Sequence, residues 1–173
     1  MSAQLIVDAC LVITFGSVSR LGLITGLRSH GLVIGSRSLA EVVKPPASEA
    51  IREAAKSSQV RVVRLDPSDP ADQAALRRLG GLPQFRNRGD GEALALADRH
   101  RMVIGSDDIG LRRCAVREFG GSRVAGTMDI LKWAVAEGRI SRRDAVSLLP
   151  ALDSGPKWID LLKRQGRRPS DVL

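Results

Sequence analysis

Aromatic residues are scarce in this chain. They make up 3% of 173 residues, with three Phe, two Trp and no Tyr. That scarcity excludes a nucleic-acid surface built mainly on base stacking against aromatic rings. It also means that the core must be assembled from Leu, Val, Ile and Ala, a composition suited to parallel strands covered by helices. Cysteine is nearly absent too. Cys10 and Cys114 make neither a disulfide framework nor a metal-ligand spacing, and both read as small buried residues in a reducing cytoplasm. The only histidines are His30 and His100, and neither lies near a cysteine in sequence, so Ser–His or Cys–His hydrolase chemistry has little support. No apolar run reaches membrane length, and no charged segment followed by an apolar one opens the chain. A soluble, intracellular protein is expected. G-x-x-x-x-G-K-[ST] is missing, as is a G-x-G-x-x-G fingerprint after a strand, which argues against a nucleotide-binding loop of either kind.

What the chain does have is positive charge and well-spaced acids. Twenty-seven Lys and Arg against nineteen Asp and Glu leave a formal net charge of +8, enough to attract polyanions and steer their approach. Apolar runs alternate with stretches of helical spacing throughout. A single-domain α/β/α sandwich with a central parallel sheet of about five strands is therefore expected. The first strand is sought between Gln4 and Thr14, where Asp8 interrupts an apolar run. An ionised, unpaired carboxylate inside such a run costs several kcal/mol, so Asp8 must end the strand, cap a helix or meet a cation. A helix is expected over 16–29, ending at His30-Gly31, and a second strand at 32–34. Ser38-x-x-Glu41 has the form of a capping box at the start of the next helix, which Pro45-Pro46 stops.

Residues 60–65 read as a strand near the sheet edge, and the acids at 66, 69 and 72 as helix caps in the loop after it. The irregular stretch from Gly80 to Gly91 carries Arg86 and Arg88 beside Asp90 and Glu92, and Asp90 reads as a helix-start charge favoured by the dipole. The spacing predicts a helix over 90–100 that packs Ala93, Leu94, Leu96 and Ala97 inward and leaves Glu92 off that face. A buried strand at 102–105 ends in Ser106-Asp107-Asp108, where a helix bearing Arg112 and Arg113 begins. A short strand at 122–126 and helices over 128–137, 141–149 and 158–165 complete the chain, followed by a basic tail. Residues 1–150 are expected to form the main domain, and 151–173 a C-terminal helix and tail that pack on it or trail from it.

In a parallel sheet, sites form beyond the carboxyl ends of the strands. Asp8, Glu41, Glu92 and Asp108, with Asp107 beside it, all fall there or on helices that return to that edge. Clustered carboxylates repel one another unless a cation sits among them, and all-oxygen donors favour Mg²⁺ or Mn²⁺. Such ions activate water and stabilise a phosphodiester during transfer.

Several motifs in order resemble those of the PIN-domain family, which includes the VapC-type toxin ribonucleases of bacterial and archaeal toxin–antitoxin pairs. They are Ile6-Val7-Asp8-Ala9, Leu39-Ala40-Glu41-Val42, Gly91-Glu92-Ala93-Leu94-Ala95-Leu96-Ala97, Ser106-Asp107-Asp108 and Gly126-Thr127. The resemblance covers roughly residues 4–150. It implies Mg²⁺- or Mn²⁺-dependent hydrolysis of RNA in the cytoplasm, by a homodimer neutralised by an antitoxin. On this basis Asp8, Glu41, Glu92 and Asp108 are the catalytic acids, with Asp8, Glu92 and Asp108 as metal ligands. Cys10, Ser106 and Asp107 support them, and Arg86, Arg88, Arg112 and Arg113 hold RNA. Where the family usually places Ser, Thr or Asn two residues after its first aspartate, this chain has Cys10. A member of the fold that binds nucleic acid or a partner without cleaving is the alternative.

Overall fold

The hydrogen-bond ladder at the centre of the molecule is carried by β1 (Ala3–Val7), whose Leu5, Ile6 and Val7 are all fully buried. A computed structural model describes residues 3–85 and 89–152, together with Asp171. β1 pairs in parallel with β2 (His30–Gly35) on one side and with β4 (Val103–Gly105) on the other. β3 (Val60–Val63) and β5 (Val124–Ala125) form the edges, giving the order β3-β2-β1-β4-β5 with every pair parallel. Between the strands run α1 (Ala9–Ser17), α2 (Gly22–Thr25), α3 (Ser36–Glu41), α4 (Ala47–Lys56), α5 (Pro70–Ala75), α6 (Gly89–His100) and α7 (Ile109–Phe119). α8 (Thr127–Ala136) and α9 (Arg142–Leu152) follow the last strand.

Side chains alternate across a strand, so β1 feeds two cores. Leu5 and Val7 join Phe15, Ile24, Ile51, Leu131 and Leu149 from the helices on one face. Ile6 joins Leu94, Leu96, Met102, Leu111 and Cys114 on the other. The result is a three-layer α/β/α sandwich around a five-stranded parallel sheet, as expected from the composition.

Several local expectations fail for identifiable reasons. The apolar run after Asp8 is helix α1, not a continuation of the strand: a short apolar run does not reveal its period, and the aspartate acts as an N-cap. The helix expected over 16–29 is divided, with Ser19 at φ 56° between α1 and α2. His30 does not end a helix. It opens β2 and stacks on Trp133, with ring centroids 4.1 Å apart. No capping box forms at Ser38 and Glu41, because α3 already begins at Ser36 and Glu41 is its last residue. The acids at 69 and 72 do act as helix-end groups. Asp69 accepts from the Ala71 amide, and Asp72 accepts from the Asp66 amide and pairs with Arg99 at 2.6 Å. The helix expected over 158–165 and the basic tail around it lie outside the described residues, as do Arg86 and Arg88.

One carboxylate locks the entry to β2. Glu137, at the end of α8, accepts from the amides of Arg28 and Ser29 at 2.7 and 2.9 Å and from the Ser29 hydroxyl. The Arg28 amide and the Ser29 hydroxyl hold its carboxyl at about 2, below the ordinary value of 4.5. The depressed value belongs to the folded state, so this contribution to stability is complete above pH 4.5 and fades as the pH falls toward 2. Glu137→Gln should lower the thermal midpoint by a few degrees at pH 7, and the gap should close between pH 4.5 and 2. A gap that stays constant over that range in scanning calorimetry would show that the carboxylate charge is not what holds the turn.

Candidate active site

Asp8 follows β1 directly and caps α1, so its side chain is fixed from both sides. Oδ1 accepts from the Leu11 amide at 2.9 Å, and Oδ2 accepts from the Ser106 hydroxyl at 2.5 Å. The residue is 1% exposed. Burial is the main reason its carboxyl is pushed up to about 7. The charges of Asp90 and Asp107 push in the same direction, against the Ser106 and Leu11 hydrogen bonds. Among the described residues, no Lys, Arg or His pairs with it.

Ser106 follows β4, the neighbour of β1, which brings it alongside Asp8. Its hydroxyl donates to Asp8 and accepts from the Asp108 amide at 3.0 Å. Asp108 caps α7, its Oδ1 accepting from the Leu111 amide at 2.7 Å, and stands exposed at the rim. Asp107 turns toward β5, where it accepts from the amide and the hydroxyl of Thr127. The Arg112 guanidinium reaches back from α7 to donate to the Ser106 carbonyl at 2.9 Å. Asp8, Ser106, Asp107, Asp108, Thr127 and Arg112 are thus one bonded group spanning the carboxyl ends of β1, β4 and β5.

The other two predicted acids belong to the junction of α3 with α6. Glu92 is 4% exposed, which corrects the expectation that it lies off the packed face of its helix. Its two oxygens accept from the Ser36 hydroxyl at 2.9 Å and from the Arg37 amide at 2.7 Å, just past the end of β2. Glu41 accepts from the Gly89 amide at 2.7 Å, holding the first turn of α6 instead of its own helix. Cys10 is exposed in the first turn of α1, contrary to the buried position expected for it, whereas Cys114 is buried as expected. Arg113 is exposed on α7.

Asp90 is the residue that reasoning from the sequence passed over as a helix-start charge. It stands two positions before Glu92, and side chains so spaced on a helix point about 200° apart. Glu92 turns toward Ser36, and the charge of Asp90, like that of Asp107, acts on Asp8. Acids so spaced diverge, and the docking of α6 is what turns Glu92 toward Ser36. Ser36, likewise overlooked, had its signal in its position immediately after β2.

The chain matches a family model described as a PIN domain over residues 4–161. The protein belongs to the PIN-domain family. A search of curated proteins gives no match. Membership points to a nuclease, a hydrolase acting on nucleic acid, and PIN-domain nucleases generally use divalent metal ions. The residues at the sheet edge suit such an ion in charge and donor type: a carboxyl raised mainly by burial and further by neighbouring carboxylates, all-oxygen donors and, among the described residues, no cation paired with Asp8. They do not form a finished cage. Among the described residues, no three His, Cys, Asp or Glu side chains converge as a ready ligand set. None of the described helices is long and apolar enough to cross a membrane.

Gly89 is what lets α6 approach α3 so closely. A Cβ there would come within 2.7 Å of Ser38 Cα, N and Oγ, two of them main-chain atoms that cannot easily move. Gly89→Ala should therefore cost about 1–3 kcal/mol in urea unfolding by overpacking this junction. An unchanged unfolding midpoint would mean that the two helices are free to separate.

Proposed function

We propose that this protein is a Mg²⁺- or Mn²⁺-dependent endoribonuclease that acts in the cytoplasm, and that it is the toxin of a toxin–antitoxin pair. The observation that carries the reading is the Asp8 carboxylate: shut away from water, pressed by Asp90 and Asp107, and without a cationic partner among the described residues. An ion held by Asp8 together with Asp90, Asp108 and Glu92 would act as a Lewis acid toward the phosphodiester and supply a water of lowered pKa. The chain's own residues have separate tasks. Ser106 fixes the Asp8 carboxylate by donating to Oδ2, and Arg112 braces Ser106 through its carbonyl. Thr127 draws Asp107 toward β5, which sets the direction of the turn that presents Asp108. Glu41 secures the start of α6, so Asp90 and Glu92 leave that helix at fixed positions. Arg113, with Arg86, Arg88 and Arg112, contributes to the positive field that attracts RNA. A homodimer and a small antitoxin protein complete the proposal, and both follow from the resemblance to the toxin ribonucleases.

A specific observation favours a second reading. Both oxygens of Glu92 already accept hydrogen bonds from Ser36 and Arg37, and Cys10 replaces the usual Ser, Thr or Asn two residues after Asp8. Those features suit a PIN-fold module that binds nucleic acid or a protein partner without cleaving.

Asp8→Asn separates the two. On the first reading, Mn²⁺ raises the thermal midpoint of the native chain but not that of the variant. The variant's Mn²⁺-stimulated cleavage of single-stranded RNA falls by about a hundredfold or more. Equal cleavage by both proteins, in preparations free of contaminating ribonuclease, would refute the assignment of Asp8. Salt-sensitive RNA binding with no cleavage and no metal-dependent midpoint would establish the second reading.

A further inference from the structure

Next to the acids, on the side of β2 and β3, lies a cavity of about 510 Å³. It shares Ser36 and Glu92 with the site described above and extends over the carboxyl end of β3 to α5. We propose that it is a nucleotide subsite, receiving the RNA nucleotide that adjoins the cleaved bond and favouring a base with an exocyclic amino group. The proposal rests on the nuclease reading for the identity of its ligand.

Four observations support it. The volume lies within the range of about 300–1,000 Å³ usual for small-molecule sites, enough for one nucleotide and too little for a folded segment. Arg37 and Arg64 line it, both are exposed, and neither pairs with an acid among the described residues, so two guanidinium groups stand ready for phosphate oxygens. Leu65, Pro67 and Leu76 supply apolar surface for the face of a base, and an arginine plane can take the stacking role for which this chain lacks aromatics. Asp66 is the acceptor. The Ser68 amide and hydroxyl both bond its Oδ1, leaving Oδ2, which no other described residue bonds, for the amino group of adenine, cytosine or guanine. Of the other two acids of the cavity, Asp72 is occupied by Arg99 and the Asp66 amide and Glu92 by Ser36 and the Arg37 amide, so neither competes. The main-chain amide of Arg37 is bonded to Glu92, which ties the position of this pocket to that of the acids.

The test uses the full chain and reads binding separately from cleavage. AMP, CMP, GMP and UMP are titrated calorimetrically into the native protein and into Arg37→Ala, Arg64→Ala and Asp66→Asn, and KM and kcat are measured on short single-stranded RNAs. The expected result is weaker monophosphate binding and a KM raised about tenfold in each arginine variant with kcat little changed. AMP, CMP and GMP should bind more tightly than UMP, and Asp66→Asn should remove most of that preference. Both arginines are exposed and outside any ion pair with a described residue, and unchanged thermal midpoints will confirm that the variants fold. Unaltered monophosphate binding in both arginine variants overturns the subsite. Lost monophosphate binding with an unaltered KM for RNA also overturns it, since the pocket would then serve a free nucleotide. Monophosphate binding that is intact in a native protein that cleaves no RNA refutes the nuclease reading, not the pocket.

Discussion

Asp8 leaves the central strand with its carboxylate buried and no positive side chain among the described residues to neutralise it. Taking an ionised carboxylate out of water costs several kcal/mol unless hydrogen bonds or a counter-charge replace the lost solvent. The fold supplies two donors, one from the Leu11 amide and one from the Ser106 hydroxyl, and places the group at the N-terminus of α1, where the helix dipole favours negative charge. These do not offset the burial, and the acid stays raised to about 7. The neighbouring elements can be understood as responses to this one group. β4 ends where its serine can reach Asp8, α7 begins with an aspartate bonded to that serine, and Arg112 returns to hold the turn between them. Among the described residues no cationic side chain pairs with Asp8 itself, and this is the feature on which the proposed metal-dependent function rests.

The second half of the site is organised differently. Glu92 and Glu41 both work across the contact between α3 and α6, one from each helix, and each accepts main-chain donors of the other. The two helices touch closely because glycines stand at the contact: a Cβ at Gly35 would lie 2.5 Å from Glu92 Oε2, and one at Gly89 would strike the backbone of Ser38. Close approach and carboxylate bridging reinforce each other. They fix the start of α6, and with it the place of Asp90 in its first turn. The cavity lined by Arg37 and Arg64 opens beside this junction, so a nucleotide bound there would lie against the same rigid frame that positions the acids.

Much of this was legible in the chain. The near-continuous apolar composition of the first and fourth strands suited strands covered on both faces, and the alternation with helical spacing pointed to a parallel sheet with helices on either side. Asp8 and Ser106 could be singled out because each adjoins an apolar run, where a polar side chain has a restricted set of uses, and Asp108 because it stands two residues past Ser106. Glu41 and Asp90 were harder. Both sit at helix ends, where an acid is favoured by the dipole and by capping whatever else it does. Sequence therefore suggested a local explanation for each, a capping box for Glu41 and a helix-start charge for Asp90. The structure gives long-range ones: a bond to the Gly89 amide and a field felt by Asp8.

The sequence by itself determined the class of fold and the family, because apolar period and motif order are properties of the chain; it singled out Asp8 but left open whether that acid ended a strand, capped a helix or met a cation. Only the tertiary structure decided which acids face one another. That depends on the strand order β3-β2-β1-β4-β5, which sets Asp8 beside Ser106 across 98 positions of chain, and on how far α6 can settle toward α3. Neither is encoded in any single stretch. Both follow from packing two apolar faces of one sheet at once, and the direction in which each carboxylate emerges is fixed by that packing.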